Sequence, residues 1–249
     1  MCGRYLITSA PEAFRRLFGY PEQPNFPARY NVAPTQPVPI VRLYEGQRQF
    51  ALVRWGLIPP WVEDPRRFSL LINARSESVN DKPAFRNAMR RRRCLFPADG
   101  FYEWKVEGVR RRPHVVRPKD GGPIAFAGLW ESWMGPNGEE METAAIVTKS
   151  ADPEFTHLHD RMPVIVPPDA FDFWLDGSKV DAVTATALFA PGRPGLLDAY
   201  EVSPAVNSAD NDNPSLLEPL SSQPAPLEVP ARASGKREKK KDERQGSLF

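Results

Sequence analysis

The sequence predicts an α+β fold: one compact domain whose largely antiparallel, barrel-like β core is flanked by short helices. Three observations carry that prediction. Strand-like segments outnumber helical ones, they do not alternate with helices as in a doubly wound sheet, and no segment repeats another. Of the 249 residues 41% are hydrophobic, enough for an ample core. The expected domain spans residues 1–222. Beyond it the composition turns to Ser, Gln and Pro and then to mixed charge, so 223–249 is expected to be a disordered basic tail.

Taken in order, Ser9 and Pro11 mark the start of a short helix carrying Phe14, Leu17 and Phe18 on one face. Proline-rich stretches at 21–27 and 34–39 read as loops. Segments 38–43 and 49–55 have the alternating, β-branched pattern of paired strands, with Glu45-Gly46 as their turn. Residues 68–73 read as another strand. Residues 82–93 read as a helix capped by Asp81, with Phe85 and Met89 four apart on one face. Short strands follow at 94–96, 100–106, 113–117, 124–130 and 143–148. Residues 152–158 and 168–175 read as helices around a strand at 163–166.

Composition narrows the function classes. There is no secretory h-region and no apolar run long enough to span a bilayer, so a soluble, cytoplasmic protein with no membrane partner is expected. Cys2 and Cys94 are the only cysteines and no Cys/His cluster has zinc spacing, so neither a disulfide scaffold nor a metal is expected. The net charge of +2 conceals an asymmetry: residues 231–249 hold seven Lys/Arg against three Asp/Glu. Overall charge therefore does not argue for a polyanionic partner; local clusters must.

The most informative residue is Cys2, directly behind Met1. Removal of Met1 would leave a 1,2-aminothiol, whose amine can form an imine with an aldehyde and whose thiol can then close a five-membered thiazolidine on the same carbon. In model peptides the amine titrates at roughly 7.7–8.0 and the thiol at about 8.5, so both reactive forms are accessible near neutrality. Ring closure is intramolecular and avoids recruiting a second nucleophile. Three segments offer helpers. Glu103 lies between Tyr102 and Trp104; on a strand these neighbours point away from it, leaving its own face open to polar work. His159, beside Asp160 and Arg161, is suited to proton transfer near neutral pH, with His157 competing for the role. Asn73 ends an apolar segment, as a turn former or as a functional amide.

Six motifs occur in order: Met1-Cys2-Gly3-Arg4-Tyr5, Tyr30-Asn31-Val32-Ala33-Pro34-Thr35, Trp55-Gly56-Leu57-Ile58-Pro59, Ile72-Asn73-Ala74-Arg75-Ser76-Glu77, Pro97-Ala98-Asp99-Gly100-Phe101-Tyr102-Glu103-Trp104 and His159-Asp160-Arg161-Met162-Pro163. Together they resemble the SOS-response-associated peptidase (SRAP) family, and the resemblance runs on through Val202-Ser203 and Val206-Asn207 to Glu218-Pro219-Leu220. It implies a sensor and shield of abasic sites in single-stranded DNA, linked through Cys2 after Met1 is lost. In that reading Asn73 positions the terminal residue, Glu103 handles the amine proton and is tied to release of Met1, and His159 assists sugar ring opening and imine chemistry. The family fold implied is a compact α+β domain with a barrel-like core and a positively charged channel.

Arg4, Arg75 and Arg161 lie within one or two residues of the reactive candidates, where guanidinium forks could seat phosphates. Trp61 could stack on an exposed base, and Asn31, Pro34 and Thr148 match channel positions of the family pattern. The run 90–93 reads either as more DNA surface or as a solvated helix end. The terminal Gln245-Gly246-Ser247-Leu248-Phe249 resembles peptides that dock on the bacterial sliding clamp, with Gln245, Leu248 and Phe249 as anchors. A monomer acting near the nucleoid, without a cofactor, is expected. The competing readings are a thiol peptidase using Cys2, His159 and Asn73, and a non-catalytic, clamp-tethered single-strand-binding adaptor.

Overall fold

The computed structural model describes residues 2–222; the tail and its clamp-like peptide lie outside the described residues. The strands are β1 Tyr5–Ile7, β2 Arg29–Val32, β3 Pro37–Tyr44, β4 Gln47–Trp55, β5 Asn73–Arg75, β6 Arg93–Ala98, β7 Gly100–Glu107, β8 Arg110–Pro118, β9 Ile124–Met134, β10 Glu140–Ser150, β11 Arg161–Pro163, β12 Ile165–Val166 and β13 Leu197–Glu201. The helices are α1 Pro11–Phe18, α2 Arg86–Arg91 and α3 Phe171–Leu175, with several single 3-10 turns between them.

Strands β9, β10, β4, β3 and β6 pair in a ring that closes where β6 returns to β9, which makes a five-stranded barrel. The β4–β10 contact is its one parallel pairing. A second sheet, in the order β13-β8-β7-β1-β2, leans against it. The α+β, barrel-cored expectation holds. Between the layers lies an aromatic core: the ring of Tyr5 meets Trp55 at 5.2 Å, Phe126 at 6.0 Å and Phe96 at 6.4 Å, all edge-on. Leu6 turns to the opposite face and packs in a smaller cluster with Tyr102, Val115, Val202, Val206 and Leu216. Each fully buried side chain of this kind contributes about 1.5–3 kcal/mol, so β1 is gripped on both faces.

Asp99 fastens the chain just after β1. Its carboxylate accepts from the backbone of Thr8 at 2.5 Å and of Ser9 at 2.8 Å, and from the Ser9 hydroxyl. Ser9 therefore serves Asp99; helix α1 starts at Pro11 with Ala10 in the cap position and no side-chain cap. Next to Asp99, Gly100 carries the chain from barrel to second sheet. A Cβ there would stand 2.6 Å from the Val116 carbonyl oxygen, so only glycine fits.

Four sequence expectations need correction. The helix expected at 82–93 is only α2, and residues 78–85 form successive turns instead. Pro83 disfavours helical backbone at Lys82, so Asp81 has no helix to cap. The strand expected at 68–73 is β5, because β4 occupies the same edge of β10 at Thr143 and Ala144 and frees it only from Ile146 onward. The helix expected at 152–158 is one 3-10 turn, Pro153–Phe155. Finally, Pro37 and Pro39 belong to β3; its second edge is paired only at Val41 and Arg42, so prolines cost no ladder bond there.

Candidate active site

Cys2 is fully buried, three residues before the strand that both cores hold. Its carbonyl oxygen accepts a hydrogen bond from Asn73 Nδ2 at 2.9 Å. Asn73 opens β5, whose parallel pairing with β10 at Ile146 fixes the direction of the amide. The Cys2 thiol approaches the Arg4 carbonyl oxygen at 3.9 Å. Burial pushes the thiol well above its ordinary range, and the charge of Glu103 pushes it further. In this environment the sulfur is a neutral thiol.

The alternation along β7 is the one the sequence predicts. Phe101 faces the main core, Tyr102 joins the smaller cluster with Trp104 packed against it, and Glu103 lies on the Phe101 side, only 3% exposed. Burial pushes its carboxyl up to about 7. The charge of Asp160 adds to that rise, so the segment containing His159 lies within electrostatic reach of Glu103. His159 is half-buried, whereas His157, its rival in the sequence, is exposed. Burial lowers the imidazole's affinity for a second proton; Arg161 acts in the same direction and Asp160 against it.

The geometry of His159 gives two hydrogen-bonding states. The backbone N–H of Arg161 reaches Nδ1 at 2.9 Å, and Asp160 Oδ1 lies 2.7 Å from the same nitrogen. A neutral ring accepts from the backbone at Nδ1 and so carries its proton on Nε2; a protonated ring donates from Nδ1 to Asp160. The burial-driven shift favours the neutral state. Among the described residues no group of three or more His, Cys, Asp or Glu side chains is arranged to hold a metal, and no helix is long and apolar enough to cross a membrane.

The family model described as SOS response associated peptidase (SRAP) matches residues 1–209. This chain is a SRAP family member. It is 36% identical to the abasic site processing protein YoqW of Bacillus subtilis (strain 168), over 88% of this chain and 99% of that one. It is 35% identical to YoaM, an abasic site processing protein of the same strain, over 88% and 98%. A solved protein from Bacteroides thetaiotaomicron shares the fold with a TM-score of 0.77 at 24% identity, covering 88% of this chain and 99% of its own.

Among the residues expected to form the SRAP channel, the structure separates braces from accessible side chains. Arg4 donates to Asn31 Oδ1 and to the Val206 carbonyl, each at 2.9 Å, and to the Asn207 carbonyl at 3.3 Å. Asn31 is fully buried and its Nδ2 donates to the carbonyls of Val206, Ser208 and Asn211. Thr148 is also fully buried; its hydroxyl and carbonyl accept from Arg161, whose other arm meets Glu77 at 2.5 Å. Direct DNA contact by the side chains of Asn31 and Thr148 is therefore corrected: no surface of either is accessible. Arg4 keeps only a partly exposed guanidinium, bonded on both arms.

Arg75 is exposed, Pro34 half-buried, and Trp61 58% exposed over a T-shaped contact with Phe68. Trp61 and Phe68 line an open cavity of about 370 Å³ together with Val62, Glu63, Asp64 and Arg67. In the 90–93 run, Arg93 is buried against the Val180 carbonyl and Arg92 pairs with Glu131, so only Arg90 and Arg91 are exposed. The sequence reading missed Glu77 as a partner of Arg161, although Glu77 stands in the same motif as Asn73 and Arg75.

Two consequences are measurable. Asn31→Ala removes the four hydrogen bonds of its amide, three from Nδ2 and one accepted from Arg4, together about 3 kcal/mol because two Nδ2 protons are shared among three acceptors, and lowers the melting temperature by roughly 5–10 °C. Arg75→Ala, at an exposed side chain, leaves stability unchanged. Thermal melts check both.

Proposed function

We propose that this chain senses and shields abasic sites in single-stranded DNA by joining Cys2 covalently to the ring-opened deoxyribose. The relatives' names supply the substrate class, and the site supplies the chemistry. One observation carries the reading: Asn73 holds the carbonyl of a buried Cys2 whose thiol lies in the field of a carboxyl poised near neutrality.

While Met1 is attached, the Cys2 nitrogen is an amide and cannot attack; its release frees the amine. The amine then adds to the C1 aldehyde, and loss of water leaves an imine. The thiol adds to the imine carbon and its proton passes to nitrogen, closing the thiazolidine with one water released overall. A group titrating near 7 suits both halves of this sequence. As carboxylate, Glu103 takes a proton from the ammonium; as acid, it returns one to the departing hydroxyl. His159 in its protonated state would donate to the sugar ring oxygen and open the ring, with Asp160 stabilising the imidazolium. The same groups run in reverse would release the link.

The thiol's raised affinity for its proton supports this reading over a general thiol peptidase, which needs a thiolate at rest. Within the proposal, residues 1–222 do the chemistry, and residues 223–249 tether the protein to DNA and to the sliding clamp. The test is a denaturing gel of the protein mixed with a single strand carrying one abasic site. A heat-stable adduct, absent with the undamaged strand, is expected. Equal, purely salt-sensitive binding of both strands would support the adaptor instead, and cleavage of unrelated proteins would support the peptidase.

A further inference from the structure

We infer that Thr35 contacts the substrate: a strained turn holds its hydroxyl on the rim of the Cys2 site, where it hydrogen-bonds a phosphate oxygen beside the captured abasic sugar. The inference rests on the function proposed above and names a residue that reads the sugar-phosphate backbone there.

Thr35 has φ of 73°, in the left-handed region that disfavours β-branched side chains. It is the third residue of a turn from Ala33 to Gln36 that follows Pro34, a position where glycine is the usual occupant. Among the described residues the only other non-glycine residue with positive φ is Glu45, which is unbranched and shares the β3–β4 hairpin turn with Gly46. That turn demands such a backbone of both its residues. At Thr35 a glycine would meet the same demand without strain.

The turn is fixed from both sides. Thr35 N–H donates to the Trp55 carbonyl at 2.8 Å and Trp55 N–H to the Gln36 carbonyl at 3.0 Å. Gln36 Oε1 accepts from Ala33 N–H at 2.9 Å and from Arg29 at 2.5 Å. All these bonds use backbone groups or the side chains of Gln36 and Arg29, so a glycine at 35 would keep every one. The threonine side chain is exposed and its hydroxyl makes no hydrogen bond among the described residues. The fold therefore tolerates a costly residue whose side chain contributes nothing to the turn. Strain of this kind collects at functional sites.

Its place points to the substrate. β2 ends at Val32, which pairs with Tyr5, so the turn starts one residue beyond a pair that lies three residues from Cys2. Trp55, which accepts the Thr35 amide proton, also donates its indole N–H to the Ile72 carbonyl, next to the asparagine that holds Cys2. An abasic nucleotide offers no base to read, so phosphate oxygens beside the sugar are the acceptors a lone hydroxyl can use.

The test compares Thr35→Gly and Thr35→Ser in single-turnover capture of an abasic single strand across DNA concentrations. Thr35→Gly is expected to melt about 2 °C higher as the strain is relieved. Its half-saturating DNA concentration is expected to rise about tenfold with its maximal rate held within about twofold, the loss of one hydrogen bond. Thr35→Ser keeps the hydroxyl and should match the parent. Capture by Thr35→Gly at parental half-saturation, or a Thr35→Ser defect as large as that of Thr35→Gly, overturns the inference. If the parent itself forms no adduct, the proposed function fails first and the inference falls with it; a reactive parent with an equally reactive glycine variant sinks the inference alone.

Discussion

Cys2→Ala is expected to abolish the proposed covalent capture of abasic DNA completely. The thiazolidine needs both groups of one residue, and alanine leaves only the amine. That amine can still form an imine, which hydrolyses on denaturation, so no band survives heating. The imine is trapped by borohydride, so a reductive assay should recover an adduct with Cys2→Ala. An extra residue ahead of Cys2 keeps the thiol but turns the Cys2 nitrogen into an amide, so no thiazolidine forms and no heat-stable band is expected. Misfolding is not the cause in either case. Removing one buried sulfur costs on the order of 1 kcal/mol, and β1 remains gripped by Tyr5 in one cluster and Leu6 in the other. A heat-stable adduct formed by Cys2→Ala would place the reactive group elsewhere.

Glu103→Gln has the second-largest effect, a fall in the single-turnover rate of about a hundredfold or more, the range of a lost general base. The parent's rate should rise with pH through about 7, as the buried carboxyl becomes the base, and the variant should lose that inflection. Stability moves in the opposite sense. Because burial raises this carboxyl from 4.5 to about 7, the folded state binds its proton more tightly than the unfolded chain does. That stability is complete below 4.5 and is lost as pH climbs through 7, a cost of about 3 kcal/mol. The melting temperature of Glu103→Gln relative to the parent should therefore increase from pH 5 to pH 8 while activity stays low. A variant that loses stability at pH 8 and keeps the rate inflection would remove Glu103 from the role of base.

What could be read from the sequence depended on how local its cause was. The β3–β4 hairpin was legible because period-two alternation and the Glu45-Gly46 turn act within a few residues. That Glu103 faces away from Tyr102 and Trp104 followed from the same alternation on β7, whereas the burial of its face did not, because the element covering it is distant in sequence. The extents of α2 and β5 were not legible. One depends on Pro83, which the helical periodicity of 82–93 overrode; the other depends on where β4 releases the edge of β10. The roles of Arg4 and Asn31 could not be seen either. Arg4 and the Val206 carbonyl are 202 positions apart, and only the folded chain shows that the two cationic and amide groups close onto the 206–211 segment. Proximity to Cys2 in sequence made Arg4 look like a phosphate ligand, whereas distant carbonyls claim both of its arms.

The central claim is that a freed terminal nitrogen and the adjacent sulfur together trap a sugar aldehyde. Intact mass spectrometry of the purified protein before and after exposure to an abasic oligonucleotide measures it most directly. The predicted species is the chain without Met1, followed by that mass plus the oligonucleotide less one water, with fragmentation placing the addition at Cys2. A protein that retains Met1 and still gains the oligonucleotide, or an addition mapped to a lysine, would contradict the account.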